Sequence, residues 1–156
     1  MTQILFYRQN DSYGEFSNFS AHPFTLEGKV WPTSEHYFQA KKFAGTEHEE
    51  TVRNAKTPSM AAKLGRSRSL PLRGDWEAVK DDVMRAALSA KFEQHPKLKS
   101  LLLSTGDAEL IEHTWNDSYW ADGGDGTGKN RLGYLLMELR AELISKSKPT
   151  VNPTTR

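Results

Sequence analysis

Trp31-Pro32-Thr33-Ser34-Glu35-His36-Tyr37-Phe38-Gln39-Ala40-Lys41-Lys42-Phe43 decides how this chain is read. The proline and the two hydroxyl residues after it predict a helix starting near Thr33, with Thr33 or Ser34 as its cap. Glu35 falls in the first turn, where the helix dipole favours an anion. Lys42 follows seven residues later, close to two turns at about 3.6 residues per turn. Both side chains therefore leave the same stripe, with Phe38 and Gln39 between them. Most same-face Glu–Lys pairs are solvated and contribute a few tenths of a kcal/mol. A pair that shares its stripe with Phe38 suggests instead a buried ion pair or a site needing an acid and an amine.

The rest of the chain places this helix in an α+β fold, mostly helical, with a small antiparallel sheet. Ile4 to Arg8 alternates like a strand, and His22 to Trp31 reads as a hairpin turning at Glu27-Gly28-Lys29. The first strand and the hairpin are expected to share one minor sheet. Thr57-Pro58 starts a helix that Gly65 ends, and Asp75 opens a longer one to about His95. Pro96 to about Thr105 is a further short helix. In the last helix Leu132, Leu135, Leu136, Leu139 and Leu143 share one stripe. Residues 1–144 are expected to form the domain, and 145–156, rich in Lys, Pro, Thr and Ser, a disordered tail.

Composition narrows the chemistry. At 156 residues the chain can bury a substantial core as one domain. Cysteine is absent, which removes disulfides, thiolate metal sites and a cysteine nucleophile. Lys and Arg number 21 against 20 Asp and Glu, a net charge of +1, without the overall basic excess of a dedicated duplex binder. No apolar run approaches the roughly 20 residues of a membrane span, and the start does not resemble a secretion signal. A cytoplasmic protein with no membrane contact is expected. His36, His48 and His113 lack metal-ligand spacing, so neither a metal nor a cofactor is expected.

Two other segments attract attention. Tyr119-Trp120-Ala121-Asp122-Gly123-Gly124-Asp125-Gly126-Thr127-Gly128-Lys129-Asn130 places four of the eleven glycines within six residues, just before the last helix. Successive glycine amides and a helix N-terminus suit a phosphate, so Gly123, Gly126, Gly128 and Asn130 are candidate ligand contacts. The spacing matches no nucleotide fingerprint, and a tight loop with Asn130 as helix cap explains it equally well. Asp122 or Asp125 can hold a ribose hydroxyl or position a water. Lys63 to Arg73 carries four basic residues and no acid, either a solvated loop or an anion clamp that includes Arg66. Trp31 and Trp120 flank the Glu35 helix and the glycine segment, and Asn18 and Phe19 lie nearer the start of the chain; one or two such rings can stack on a base.

Taken in order, Tyr13-Gly14 with Phe16-Ser17-Asn18-Phe19, the block from Trp31 to Phe43, Gly65-Arg66-Ser67-Arg68, Trp76 to Lys80, Val83-Met84, Lys91 to His95, and Tyr119 through Tyr134 resemble the NADAR family and, within it, its bacterial N-glycosidases. The resemblance runs from about Ile4 to Leu143. The chain departs from that pattern at Lys41 and Asp125, which shifts weight to Lys42 and Asp122. Membership implies cleavage of a ribose C1′–N bond. Two substrate classes follow: ribosylamino-pyrimidine intermediates of riboflavin biosynthesis, or ADP-ribose on guanine, whose removal is a de-ADP-ribosylation. The partner is then a ribosylated or ADP-ribosylated small molecule or nucleotide, or ADP-ribosylated nucleic acid. Two routes stay open: Glu35 as acid and base with Asp122 steadying the ribose, or Lys42 as a Schiff-base nucleophile whose imine water later resolves. A pocket that reads ADP-ribose or NAD without cutting it, as a sensor, is the alternative. The cleft is expected between the Glu35 helix and the loop before the last helix.

Overall fold

Thr33 begins the first helix: its Oγ1 accepts the His36 amide at 3.1 Å, and α1 then runs Ser34–Ala40. All seven α1 residues are buried, polar ones included. A helix enclosed on every side forms the centre of a fold, and in this computed structural model, which describes residues 2–147, the other elements wrap around it. These are β1 (Gln3–Phe6), β2 (Phe24–Leu26), β3 (Lys29–Trp31), α2 (Glu47–Arg53), α3 (Pro58–Arg66), α4 (Trp76–Gln94), α5 (Pro96–Ser104), β4 (Glu109–Glu112) and α6 (Arg131–Ser147). Helices α2, α3 and α4 all pack on α1. After Ala40 the chain tightens into a 3₁₀ turn, Lys41–Phe43, that carries Lys42.

The α+β class, mostly helical with a small antiparallel sheet, is what the chain adopts, but the strands pair differently from the expected single sheet. β2 and β3 form the hairpin, with Phe24 opposite Trp31 and a turn whose Glu27 and Gly28 both have positive φ (57° and 75°), as tight hairpins require. β1 does not join it. It pairs in parallel with β4, Ile4 opposite Leu110, so the described residues form two two-stranded sheets. The outer edge of β2 is already occupied by a side chain: Gln94 accepts the Thr25 amide at 2.8 Å and donates to the Thr25 carbonyl at 2.7 Å. With that edge closed, β1 has no ladder to extend there.

Helix α2 was not expected either. Val52 is its one buried apolar residue, so no hydrophobic stripe announces it. Its start is nonetheless encoded: Thr46 accepts the His48 amide, and Glu49 reaches back to the Gly45 amide at 2.9 Å, much as in a capping box. The core itself is built on the leucine stripe of the last helix. Val83, Met84, Ala87, Leu88 and Phe92 of α4 meet Leu132, Leu135, Leu136, Leu139 and Leu143 of α6, all buried. Helix α6 continues to Ser147, three residues into the segment expected to be a tail; residues 148–156 lie outside the described residues. Among the described residues no helix is long and apolar enough to cross a membrane.

Candidate active site

A cavity of about 1010 Å³ opens beside α1. From α1 and the turn after it come Glu35, Phe38, Gln39 and Lys42, and from the loop after β1 come Asn18 and Phe19. Arg66 enters from the end of α3, Trp76, Lys80 and Met84 from α4, and Glu112 from the end of β4. Asp117, Tyr119 and Trp120 complete it from the loop before α6. The cleft thus lies between the Glu35 helix and that loop, although it uses the loop's first half and not its glycines.

Glu35 is held rigidly. Its amide donates to the Asn18 carbonyl at 3.1 Å, and its Oε2 accepts from Gln39 Nε2 at 2.8 Å. Ser34 Oγ donates to Asn18 Oδ1 at 2.7 Å, which ties the Asn18 loop to the helix start. Burial pushes the Glu35 carboxyl above the usual range because the charged form loses its water. The Gln39 hydrogen bond and the nearby Arg66 and Lys42 oppose this without cancelling it.

Lys42 is also buried. Its Nζ lies over the Phe38 and Trp76 rings, 5.6 and 5.8 Å from their centroids, and 3.4 Å from the Gly65 carbonyl. Burial, helped by the Arg68 guanidinium, pulls the amine down to about 8 against the attraction of Glu35. An amine with that affinity is neutral in about one molecule in ten at pH 7, enough to act as a nucleophile. Phe38, Trp76 and Trp120 form the apolar floor, with Phe38 centred 5.1 Å from Trp76 and 5.3 Å from Trp120. Positive charge at the mouth comes from Arg66, Arg8 and Lys80, the last held over the Tyr119 ring at 3.9 Å. Such a cavity can seat a sugar against an acid and an amine while cations meet a phosphate.

Six of the twelve sequence-derived candidates line this cavity: Glu35, Lys42, Asn18, Phe19, Arg66 and Trp120. Trp31 does not. It is wholly buried in the core, its indole donating to the Leu26 carbonyl at 2.9 Å. Asp122 also lies apart from the lining. Its carboxylate accepts from His113 Nδ1 at 2.7 Å and from the Thr114 and Gly124 amides. Gly123 and Gly126 turn the loop with positive φ (74° and 87°), and the Gly128 amide donates to the Asp122 backbone carbonyl at 2.7 Å. A Cβ at Gly124 would collide with the Trp115 ring, and one at Gly128 with the Ala121 carbonyl. Asn130, at φ 51°, accepts the Glu112 amide at 3.0 Å and donates to the Leu110 carbonyl at 2.9 Å. These groups brace β4 against α6 instead of facing the cavity.

Sequence reading did not find Glu112, Asp117, Lys80 or Tyr119. For Glu112 a signal existed: Leu110 and Glu112 alternate on one face of a short strand, but two acids in four residues, Glu109 and Glu112, hide the strand. Burial and the carboxylates of Asp117, Glu35 and Asp122 push the Glu112 carboxyl up to about 8.

A sequence profile of the NADAR domain matches residues 5–144. The N-glycosidase YbiA of Escherichia coli strain K12 is 61% identical over 142 residues, covering 91% of this chain and 89% of that protein. A riboflavin biosynthesis protein of Vibrio vulnificus is 42% identical over 140 residues, covering 90% of this chain and 38% of its own longer one. The NMR structure of the E. coli YbiA protein matches the fold with a TM-score of 0.89 at 56% identity, across 98% of this chain and 91% of that one.

Proposed function

The chain belongs to the NADAR family and is an N-glycosidase, and we propose that Glu35 and Lys42 cleave a ribose C1′–N bond through a Schiff base. The observation that carries this reading is a buried acid and a buried amine of depressed basicity lining one cavity. N-glycoside cleavage needs a proton on the departing nitrogen and a partner for the electron-poor C1′. Glu35, whose hold on its proton burial strengthens, supplies the first. Neutral Lys42 supplies the second.

In this account the glycosylamine opens its ring at C1′–O4′, and Lys42 Nζ bonds to C1′. The C1′–N bond to the base then breaks, the base leaving as a neutral amine with the proton from Glu35. Lys42 sheds a proton to the Glu35 carboxylate as its iminium forms; water then adds, both of its protons passing to the departing amine, and the sugar leaves as an aldehyde that recloses. Arg66 and Lys80 hold the phosphate of the sugar, and Trp120 and Phe19 offer rings to the base.

The favoured substrate class is a ribosylamino-pyrimidine phosphate, a reading supported by the riboflavin biosynthesis relative. A cavity of about 1010 Å³ is at the upper end of small-molecule sites and has room for a larger ligand, which supports ADP-ribosylated guanine as the second reading. The test is a side-by-side product assay. A ribosylamino-pyrimidine phosphate and ADP-ribosylated guanosine are incubated with the enzyme, and the free base is followed by chromatography. Release from the first at least tenfold faster than from the second is expected; the reverse ratio selects the ADP-ribosyl class, and release from neither rejects both.

A further inference from the structure

Strand β4 ends by delivering an acid to the cavity that the two-residue mechanism above does not use. Leu110 and Glu112 share one face of β4. Leu110 is fully buried in the core, so the same face carries the Glu112 side chain inward, where the core gives way to the cavity. The backbone of Glu112 is fastened on both sides. Its amide donates to Asn130 Oδ1 at 3.0 Å, its carbonyl accepts the Asp122 amide at 2.9 Å, and Phe6 of β1 stands opposite. Gly133 lets α6 approach so closely that a Cβ there would sit 2.0 Å from the Leu110 carbonyl. By contrast, among the described residues no hydrogen bond or ion pair reaches the Glu112 carboxyl. A half-buried acid with a fixed backbone and an unclaimed head group is arranged to meet something that enters the cavity.

The Schiff-base route has a demand that fits this place. Two protons are needed at different atoms, one on the ring oxygen as C1′–O4′ opens and one on the departing nitrogen. Glu35, which feels Lys42 and Arg66, serves the nitrogen beside the amine. The charges that bear on Glu112 are the carboxylates of Asp117 and Asp122 from the following loop and Glu35 from α1.

Resting on the N-glycosidase reading above, we infer that Glu112 is a second catalytic acid, giving its proton to the ribose ring oxygen while Glu35 serves the leaving nitrogen. As the C1′–O4′ bond breaks, its electron pair stays on oxygen and takes the Glu112 proton. The resulting carboxylate takes the 4′-hydroxyl proton as that oxygen closes on the released aldehyde, whose own oxygen takes a proton from the Lys42 ammonium left by hydrolysis. At neutral pH Glu112 holds that proton. The glycine loop, Asp122, Asn130 and Gly133 then serve catalysis indirectly, by fixing the strand end that carries this acid.

Glu112→Gln keeps the shape and removes the proton. With whichever of the two substrates the wild type cleaves, we expect kcat to fall at least 30-fold, KM to stay within about threefold and Tm to be unchanged or higher, because no intramolecular partner of the carboxyl is lost. Glu112→Asp should recover part of kcat. A Glu112→Gln enzyme with wild-type kcat overturns the inference, as does a loss explained entirely by a lower folded fraction. If the wild type itself releases no base from either substrate, the N-glycosidase reading fails first, and this one with it.

Discussion

Gly65 and Gln39 touch where α3 crosses α1: a Cβ built on Gly65 would lie 2.0 Å from Gln39 Oε1 and 2.8 Å from its Cβ. Gln39 in turn donates to Glu35, and the Gly65 carbonyl faces Lys42 Nζ. One missing side chain therefore sets the positions of both groups assigned to the chemistry. Without that close approach the acid and the amine would not share a wall.

Gly65→Ala forces Gln39 aside. Overpacking of this kind costs about 1–3 kcal/mol, so Tm falls by several degrees. Because Gln39 also orients Glu35, turnover per folded molecule should fall about tenfold or more. A steady-state assay normalised to the folded fraction by circular dichroism checks this; full turnover in the alanine variant would separate Gly65 from the site.

Asp122→Asn tests the reassignment of the glycine loop to a supporting role. Burial pushes the Asp122 carboxyl up, but His113 and the Gly124 and Thr114 amides pull it down further, below the usual range. A depressed folded value means the carboxylate stabilises the fold above the unfolded value of about 3.9, and this is lost as pH falls below it. The asparagine variant should lose about 1–3 kcal/mol at pH 7 and show a weaker dependence of Tm on pH between about 5 and 2. Its loss of turnover should be smaller than that of Glu35→Gln.

Lys91 is fully buried and donates to the Glu15 and Ser17 carbonyls at 2.7 and 3.0 Å, under the loop that carries Asn18 and Phe19. Lys91→Met takes one donor from each carbonyl, which Ser20 Oγ and the Ser20 amide still reach, and should cost about 1–3 kcal/mol. Burial pulls the Lys91 amine down to about 7, so between about 7 and 10.4 the unfolded chain binds the extra proton. Wild-type stability should therefore rise with pH across that window, and the methionine variant should lose this slope. Urea titrations from pH 6 to 10 measure both effects.

Proton uptake by Lys42 should govern the acid side of the rate profile. With its amine near 8, only the neutral form attacks C1′, so single-turnover adduct formation should rise about tenfold per pH unit below 7, peak near 8 and fall at higher pH as Glu112, also near 8, loses the proton that opens the ring. A flat profile from pH 5 to 8 would contradict a nucleophilic Lys42.

What the sequence made legible was local chemistry with few competitors. Thr33 capping α1, Gly28 turning the hairpin and the leucine stripe of α6 each depend on neighbours within one element. The Glu35–Lys42 stripe was visible for the same reason. Strand β4 was not, because two acids in four residues mask its short alternation and its partner β1 lies about a hundred positions away in the chain. The glycine cluster resembled an anion cradle, yet Gly124 exists to let Trp115 lie flat on the backbone and Gly128 to clear the Ala121 carbonyl. Glycines for close packing and glycines for phosphate look alike until the tertiary neighbours are known. Trp31 sat beside the decisive helix but points into the core, a matter of strand register.

The most direct measurement is borohydride reduction during turnover, with intact-mass and peptide mass spectrometry. The account predicts a stable adduct of the sugar's mass on Lys42, absent without substrate, and no adduct or base release in Lys42→Ala. A Lys42→Ala enzyme that still releases base, together with no trapped adduct in the wild type, would contradict it.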